Sequence, residues 1–151
     1  MIKFTIRKGT YTDLQLSYEI MKNALGEYVK QTWGWDEAWQ FEKHKNDFDP
    51  AILSIIEVNG DAAAMLEEII EPNTIRVCGI YIIDKYQSKG IGGQLMKGVI
   101  EKAKMSDKNV ELKVLKVNRR AKKFYERLGF VMYGEDENHY LMIHKTGSRK
   151  S

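Results

Sequence analysis

At 151 residues, with 43% hydrophobic and 30% charged side chains, the chain has the size and composition of one globular domain, not of a disordered or fibrous protein. Its 24 basic and 21 acidic residues leave a formal charge of +3, too small an excess to argue for nucleic acid. The one cysteine fits a reducing compartment, no run approaches the roughly 18 apolar residues of a membrane span, and charges interrupt the apolar N-terminus, so no membrane association and no signal or transit peptide is expected, and the protein is expected in the cytoplasm.

Ile2, Phe4 and Ile6 alternate with polar residues and predict a first strand with one buried face. Thr10 or Thr12, with Asp13, is placed to cap a helix in which Leu14, Tyr18, Met21, Leu25 and Tyr28 recur at helical spacing. The segment from Trp33 to Trp39 holds all three tryptophans and enters a second short helix. Large aromatics usually pack, so Trp33, Trp35 and Trp39 are read as plugging one end of the core; the functional alternative is an aromatic wall for a substrate.

Ala51 to Val58 is rich in Ile and Val and stops at Asn59-Gly60-Asp61, a hairpin turn signal. Ala62 to Ile70 runs out, Glu71-Pro72-Asn73 turns the chain, and Thr74 to Ile83 returns, which predicts a three-stranded antiparallel meander. From Gly92 onward Leu95, Met96, Val99, Ile100 and Ala103 line one helical face, and Val110, Leu112 and Val114 then alternate as a strand. Ala121, Phe124, Tyr125 and Leu128 mark a further helix, with Asn118 as N-cap and Gly129 as the left-handed residue past its end. A closing hairpin joins Phe130 to Tyr133 with Tyr140 to His144. The order β α α β β β α β α β β predicts an α/β or α+β sandwich around one sheet. A single domain over residues 1–145 and a disordered polar tail over 146–151 are expected.

Between the fourth strand and the third helix lies Gln87-Ser88-Lys89-Gly90-Ile91-Gly92-Gly93. A glycine-rich turn there points several backbone N–H groups one way, and the helix N-terminus adds partial positive charge, which makes an anion cradle. Its glycines do not have the G-x-G-x-x-G spacing of a dinucleotide turn, and Lys89 precedes Gly90, so the P-loop order is absent too. On these residues alone, a plain tight connection stands equally open.

Two motifs together resemble the GNAT superfamily of acetyl-coenzyme A dependent N-acetyltransferases. Gln87, Gly90 and Gly92 match its Q/R-x-x-G-x-G/A turn; Asn118, Ala121, Tyr125, Gly129 and Phe130 match its later N-x-x-A-x-x-x-Y-x-x-x-G-F helix. The resemblance implies the family's acyltransferase fold, a mixed, mostly antiparallel sheet of about seven strands flanked by about four helices. It implies acetyl-CoA as co-substrate, with its pyrophosphate on the N–H groups of Ser88, Lys89, Gly90, Ile91, Gly92 and Gly93, and with Gln87 also part of the coenzyme site. It places the pantetheine arm along Ile80, Tyr81 and Ile82, with a further contact from Asn118, which also caps its helix. Tyr125 is then the general acid that protonates the departing thiolate, a role a phenol with pKa near 10 can fill at neutral pH.

The reaction so implied is direct attack of a primary amine, of a small molecule or of a protein or peptide, on the thioester in a ternary complex. Cys78, flanked by apolar residues and with no nearby histidine, is read as a buried structural residue and not as a nucleophile. Where some members carry a glutamate base on the fourth or fifth strand, this chain has Arg76 and Lys113. Glu67, Glu68 and Glu111 are the carboxylates nearby, with Glu67 and Glu68 facing opposite sides of the sheet; none is assigned as the base. His44, His139 and His144 show no metal-ligand spacing, so no metal is expected. Arg119, Arg120, Lys122, Lys123 and Arg127 form either a solvated face or an attractor of phosphates. The competing reading is a non-catalytic acyl-CoA-binding regulatory module; binding of RNA through the basic helix is not expected. A monomer or homodimer is expected.

Overall fold

The structure, a computed structural model, describes residues 2–146. The expected tail from residue 147 onward lies outside the described residues. The elements are β1 (Thr5–Lys8), α1 (Leu14–Trp33), α2 (Glu37–Asp47), β2 (Leu53–Val58), β3 (Asp61–Ile70), β4 (Thr74–Ile82), α3 (Ile91–Met105), β5 (Asn109–Leu115), α4 (Arg119–Arg127), β6 (Val131–Glu135) and β7 (His139–His144). They follow the expected order and form one mixed sheet of seven strands, β1-β2-β3-β4-β5-β7-β6. The pairs β1–β2, β2–β3, β5–β7 and β6–β7 are antiparallel, and β4–β5 is parallel. Asn59 and Gly60 take φ of 52° and 84°, the paired left-handed residues that a two-residue hairpin turn requires.

The chain divides into two compact units, Met1–Glu67 with Gly79–Ile91, and Glu68–Cys78 with Gly92–Ser151. In the first, Ile20 of α1 packs with Leu53, Ile55 and Met65 of the sheet, and Leu16, Phe48, Tyr81 and Ile83 close over this cluster. The start of α1 is fixed by charge. Asp13 is buried, accepts both guanidinium nitrogens of Arg7 at 2.9 Å and accepts the N–H of Thr10 at 2.9 Å. That pairing with Arg7 holds its carboxyl down to about 2. α2 buries none of its residues. It is held to α1 by polar groups and by rings: the Tyr18 hydroxyl and Lys22 ammonium both donate to Glu37, His44 Nε2 lies 2.7 Å from the fully buried Ser17 hydroxyl, and Phe41 and His44 stack edge-on against the Tyr18 ring at 5.0 and 5.6 Å.

In the second unit Leu95, Met96, Val99 and Ala103 of α3 are buried, as are Val110, Leu112 and Val114 of β5. α4 packs on β5. Arg76, Glu71, Glu111, Tyr133 and Thr74 form a polar network that ties β4, β5 and β6 together at the sheet surface.

Three expectations are corrected. Trp33 and Trp39 are 56% and 58% exposed, so they do not plug the core; Trp33 is the last residue of α1, and Trp39 lies in α2, which buries none of its residues. Cys78 is exposed, because strand neighbours point to opposite faces: Val77 and Gly79 are buried and Cys78 faces the other way. Ile6 is likewise exposed on the edge strand β1, where Arg7 is the half-buried residue instead.

Candidate functional site

β4 carries Ile80, Tyr81 and Ile82 as its last three residues. Its parallel ladder with β5 pairs Thr74–Val77 with Asn109–Leu112 and goes no further, so β4 runs on for five residues past that ladder. Tyr81 folds back along the strand: a Cβ on Gly79 would stand 2.6 Å from its ring, so glycine at 79 is what lets the ring lie there and reach the apolar cluster of the first unit. Beyond β4, the side-chain amide of Gln87 donates to the Ile82 carbonyl at 2.9 Å and fixes where the turn begins.

The turn itself is exposed at Ser88, Lys89 and Gly90. Ser88 and Gly90 take φ of 61° and 86°, alternating with Lys89, the kind of backbone that turns successive N–H groups into one concave face. Gly90 therefore needs to be glycine; Ser88 holds a conformation most L-residues avoid. Ile91, the first residue of α3, is 1% exposed and pins the turn to the core. In the second unit α3 resumes with Gly92, where a Cβ would meet only the Phe124 ring at 3.5 Å, and Gly93, where it would meet nothing within 4 Å. The first-turn N–H groups of a helix have no intrahelical acceptor. These residues thus fit an anionic group approaching the backbone closely, and the fold itself does not require glycine at Gly93.

Asn118 caps α4: its Oδ1 accepts from Ala121 N at 3.1 Å, and its backbone carbonyl accepts from Lys122 N at 3.2 Å. Capping uses the side-chain oxygen only. Among the described residues its NH₂ donates to nothing, which leaves two donors for a ligand amide. Tyr125 is 8% exposed, its ring wedged 5.3 Å from Phe124 and 5.7 Å from Phe130. Burial pushes its phenol well above the ordinary value, so it stays protonated at neutral pH. No described residue hydrogen-bonds its hydroxyl. Gly129 closes the helix at φ 101°, and the Tyr125 carbonyl accepts from Leu128 and Phe130 at 3.1 and 3.0 Å.

The carboxylates separate clearly. Glu111 is engaged by Tyr133 at 2.9 Å, Thr74 at 3.4 Å and Arg76 at 3.6 Å. Both oxygens of Glu68 lie within 3.1 Å of the Lys102 ammonium. Glu67 has no hydrogen-bond or ion-pair partner among the described residues, and burial raises its carboxyl, with Asp47 and Asp49 adding to the rise. The basic residues of α4 split as well: Lys122 pairs with Glu126 at 2.8 Å, whereas Arg119, Lys123 and Arg127 are exposed. Among the described residues no group of His, Cys, Asp and Glu is placed to hold a metal ion, and no helix is long and apolar enough to cross a membrane. Sequence reasoning missed the polar bracket between Ser17 and His44; the only signal for it was a serine on the apolar face of α1.

The sequence pattern of the acetyltransferase (GNAT) family matches residues 14–130. No curated protein matches the chain in sequence. Among solved structures, the PaiA N-acetyltransferase from Thermoplasma acidophilum, in complex with coenzyme A, superposes with a TM-score of 0.78 at 17% identity, over 95% of this chain and 99% of that one. The ribosomal-protein-S18-alanine N-acetyltransferase from Escherichia coli gives 0.71 at 20% identity, over 98% and 97%. Arabidopsis thaliana Naa50, in complex with the bisubstrate analogue CoA-Ac-MVNAL, gives 0.67 at 13% identity, over 94% and 98%. At these identities the likeness establishes the fold.

Proposed function

The chain belongs to the acetyltransferase (GNAT) family, and from that premise we propose that it transfers the acetyl group of acetyl-CoA to a primary amine by direct attack in a ternary complex, in the cytoplasm. The observation that carries this reading is that β4 continues beyond its ladder with β5 and leads into a turn with left-handed Ser88 and Gly90. A strand that outruns its neighbour offers main-chain groups to an amide-rich arm, as an added strand would. Ile80 and Ile82 bind that arm, the N–H groups from Ser88 to Gly93 bind the pyrophosphate, and the Asn118 NH₂ donates to the ligand. Bound acetyl-CoA supplies an activated carbonyl and a thiolate leaving group. Tyr125 then acts as general acid: its phenol is neutral, its ring is packed between Phe124 and Phe130, and its hydroxyl has no competing partner among the described residues.

The coenzyme-bound and peptide-analogue-bound relatives support an amine acceptor in general terms. For this chain the acceptor is a small-molecule amine or a peptide N-terminus. The test is thiol release from acetyl-CoA across propane-1,3-diamine, tyramine, the peptide MVNAL and an alanine-initiated peptide. Turnover with at least one, lost in Tyr125→Phe, is expected. Coenzyme binding with no turnover on any of them, at any pH from 6 to 10, would favour a non-catalytic acyl-CoA-binding module.

A further inference from the structure

We propose that Glu67 is the general base of the transfer, taking the proton from the acceptor's ammonium; this rests on the acyltransfer reading above. Glu67 stands on β3 opposite Leu53 of β2, in the same ladder that pairs Ile55 with Met65. Alternation along both strands therefore puts Glu67 on the sheet face of Leu53, Ile55 and Met65, the cluster that Ile20 and Tyr81 cover. It occupies the next position of that face after Met65. The side chain of Tyr81, between the two residues proposed to carry the pantetheine arm, packs on the same cluster. Of the three carboxylates on the strands, Glu68 is spent on Lys102 and Glu111 on Arg76, Tyr133 and Thr74, and Glu67 alone is uncommitted among the described residues. It is half-buried.

Its surroundings suit a base. The charged groups acting on it are Asp47, at the end of α2, and Asp49, two residues on; Phe48 between them packs on the cluster that Glu67 borders. Asp47 is itself paired with Lys43 at 2.8 Å, so Glu67 and Asp49 are the carboxylates that attract an incoming ammonium. Desolvation and those two acids raise the Glu67 carboxyl toward the range where a base works best near neutral pH. An alkylamine with pKa near 10.4 is neutral in only about one molecule in 10³ at pH 7, so a resident base is worth up to that factor. In the reaction Glu67 takes one ammonium proton, the freed amine bonds to the thioester carbonyl carbon as the carbon–sulfur bond breaks, and Tyr125 gives its proton to sulfur. The nitrogen sheds its second proton to water. Glu67 releases its proton to water and Tyr125 recovers one, so one proton is released per turnover.

The test compares wild type with Glu67→Gln on the amine that turns over fastest in the panel, from pH 6 to 10. Wild-type kcat/KM should reach a plateau in the neutral range, because the bound ammonium is the substrate and Glu67 the acceptor of its proton. Glu67→Gln should be lower by about 10²–10³-fold at pH 7 and climb with slope one toward the amine's own pKa, while the melting shift with acetyl-CoA stays unchanged. Glu67→Gln within threefold of wild type at pH 7, or a plateau kept in the variant, overturns the assignment. If Glu67→Gln melts too low to assay, Glu67→Asp decides: kcat should fall at least tenfold with the plateau retained, and an unchanged kcat overturns the assignment. Failure of the underlying reading looks different, since wild type would then release no thiol with any amine.

Discussion

Two helical segments rich in aromatic side chains, α4 with the residues that close it and the corner between α1 and α2, are held by different mixtures of ring packing and polar contact. In the first, Tyr125 and Phe130 are 8% and 2% exposed, and rings follow one another from Phe124 through Tyr125 and Phe130 to His144 at 5.3 to 5.7 Å. In the second, Trp33 and Trp39 are more than half exposed, and α2 is held by hydrogen bonds through Glu37 and Ser17 and by Trp35, Phe41 and His44 packing around the buried Tyr18 ring. Residue type does not decide burial; what lies beneath the helix does. Under the proposed function the packed segment is the one that carries the acid, Tyr125. The exposed aromatic corner is the surface on which contact with an acceptor amine is to be tested.

That contrast can be broken from either side. The largest effect should come from the packed segment: Tyr125→Phe keeps the ring and the packing, so melting stays within about 0.5 kcal/mol of wild type, while kcat falls about 10²–10⁴-fold. Unchanged turnover would remove Tyr125 as the acid. Next comes the polar staple at the start of α1. Asp13→Asn should cost about 1.5–3 kcal/mol at pH 7, the worth of a charged hydrogen-bond set, read by urea melts. The folded carboxyl of Asp13 sits at about 2, below its ordinary 3.8. Its contribution is therefore present above 3.8 and lost as pH falls through about 2, so the gap between variant and wild type should close over that window. A gap independent of pH would mean that packing, not charge, secures the start of α1.

Asn118→Ala should lose about 1 kcal/mol of stability through the cap, with a weaker acetyl-CoA melting shift in addition. A stability loss alone would leave Asn118 as a cap. The smallest stability effects should come from Trp33→Ala and Trp39→Ala, within about 0.5 kcal/mol. If those surfaces meet the acceptor, its KM rises in these variants with the acetyl-CoA shift intact; a destabilisation of several kcal/mol would instead show the corner to be packed.

What could be read in the sequence was what local chemistry decides. The Asn59-Gly60 turn, the Asn118 cap and the Gly129 left-handed stop are each determined within a few residues, and all three stand as expected. The strand and helix order followed from periodicity for the same reason. Burial of single residues was less accessible, because it depends on partners far along the chain. Cys78 and Ile6 sit in apolar stretches but on faces that the register turns outward. For the candidate site, the glycine turn and the Tyr125 helix were legible as motifs. The isolation of Glu67 was not: it emerges only once Lys102 and Arg76 are seen to occupy Glu68 and Glu111.

The central claim, that this fold binds acetyl-CoA through the β4 end and the glycine turn, is tested most directly by thermal melting with the coenzyme. At a hundred times Kd the ligand adds about 2.7 kcal/mol, or roughly 5–10 °C for a domain of this length, and Gly90→Val, which forces a branched side chain into a left-handed position of the turn, should abolish most of that shift. No shift in the wild-type protein at millimolar acetyl-CoA would contradict the account.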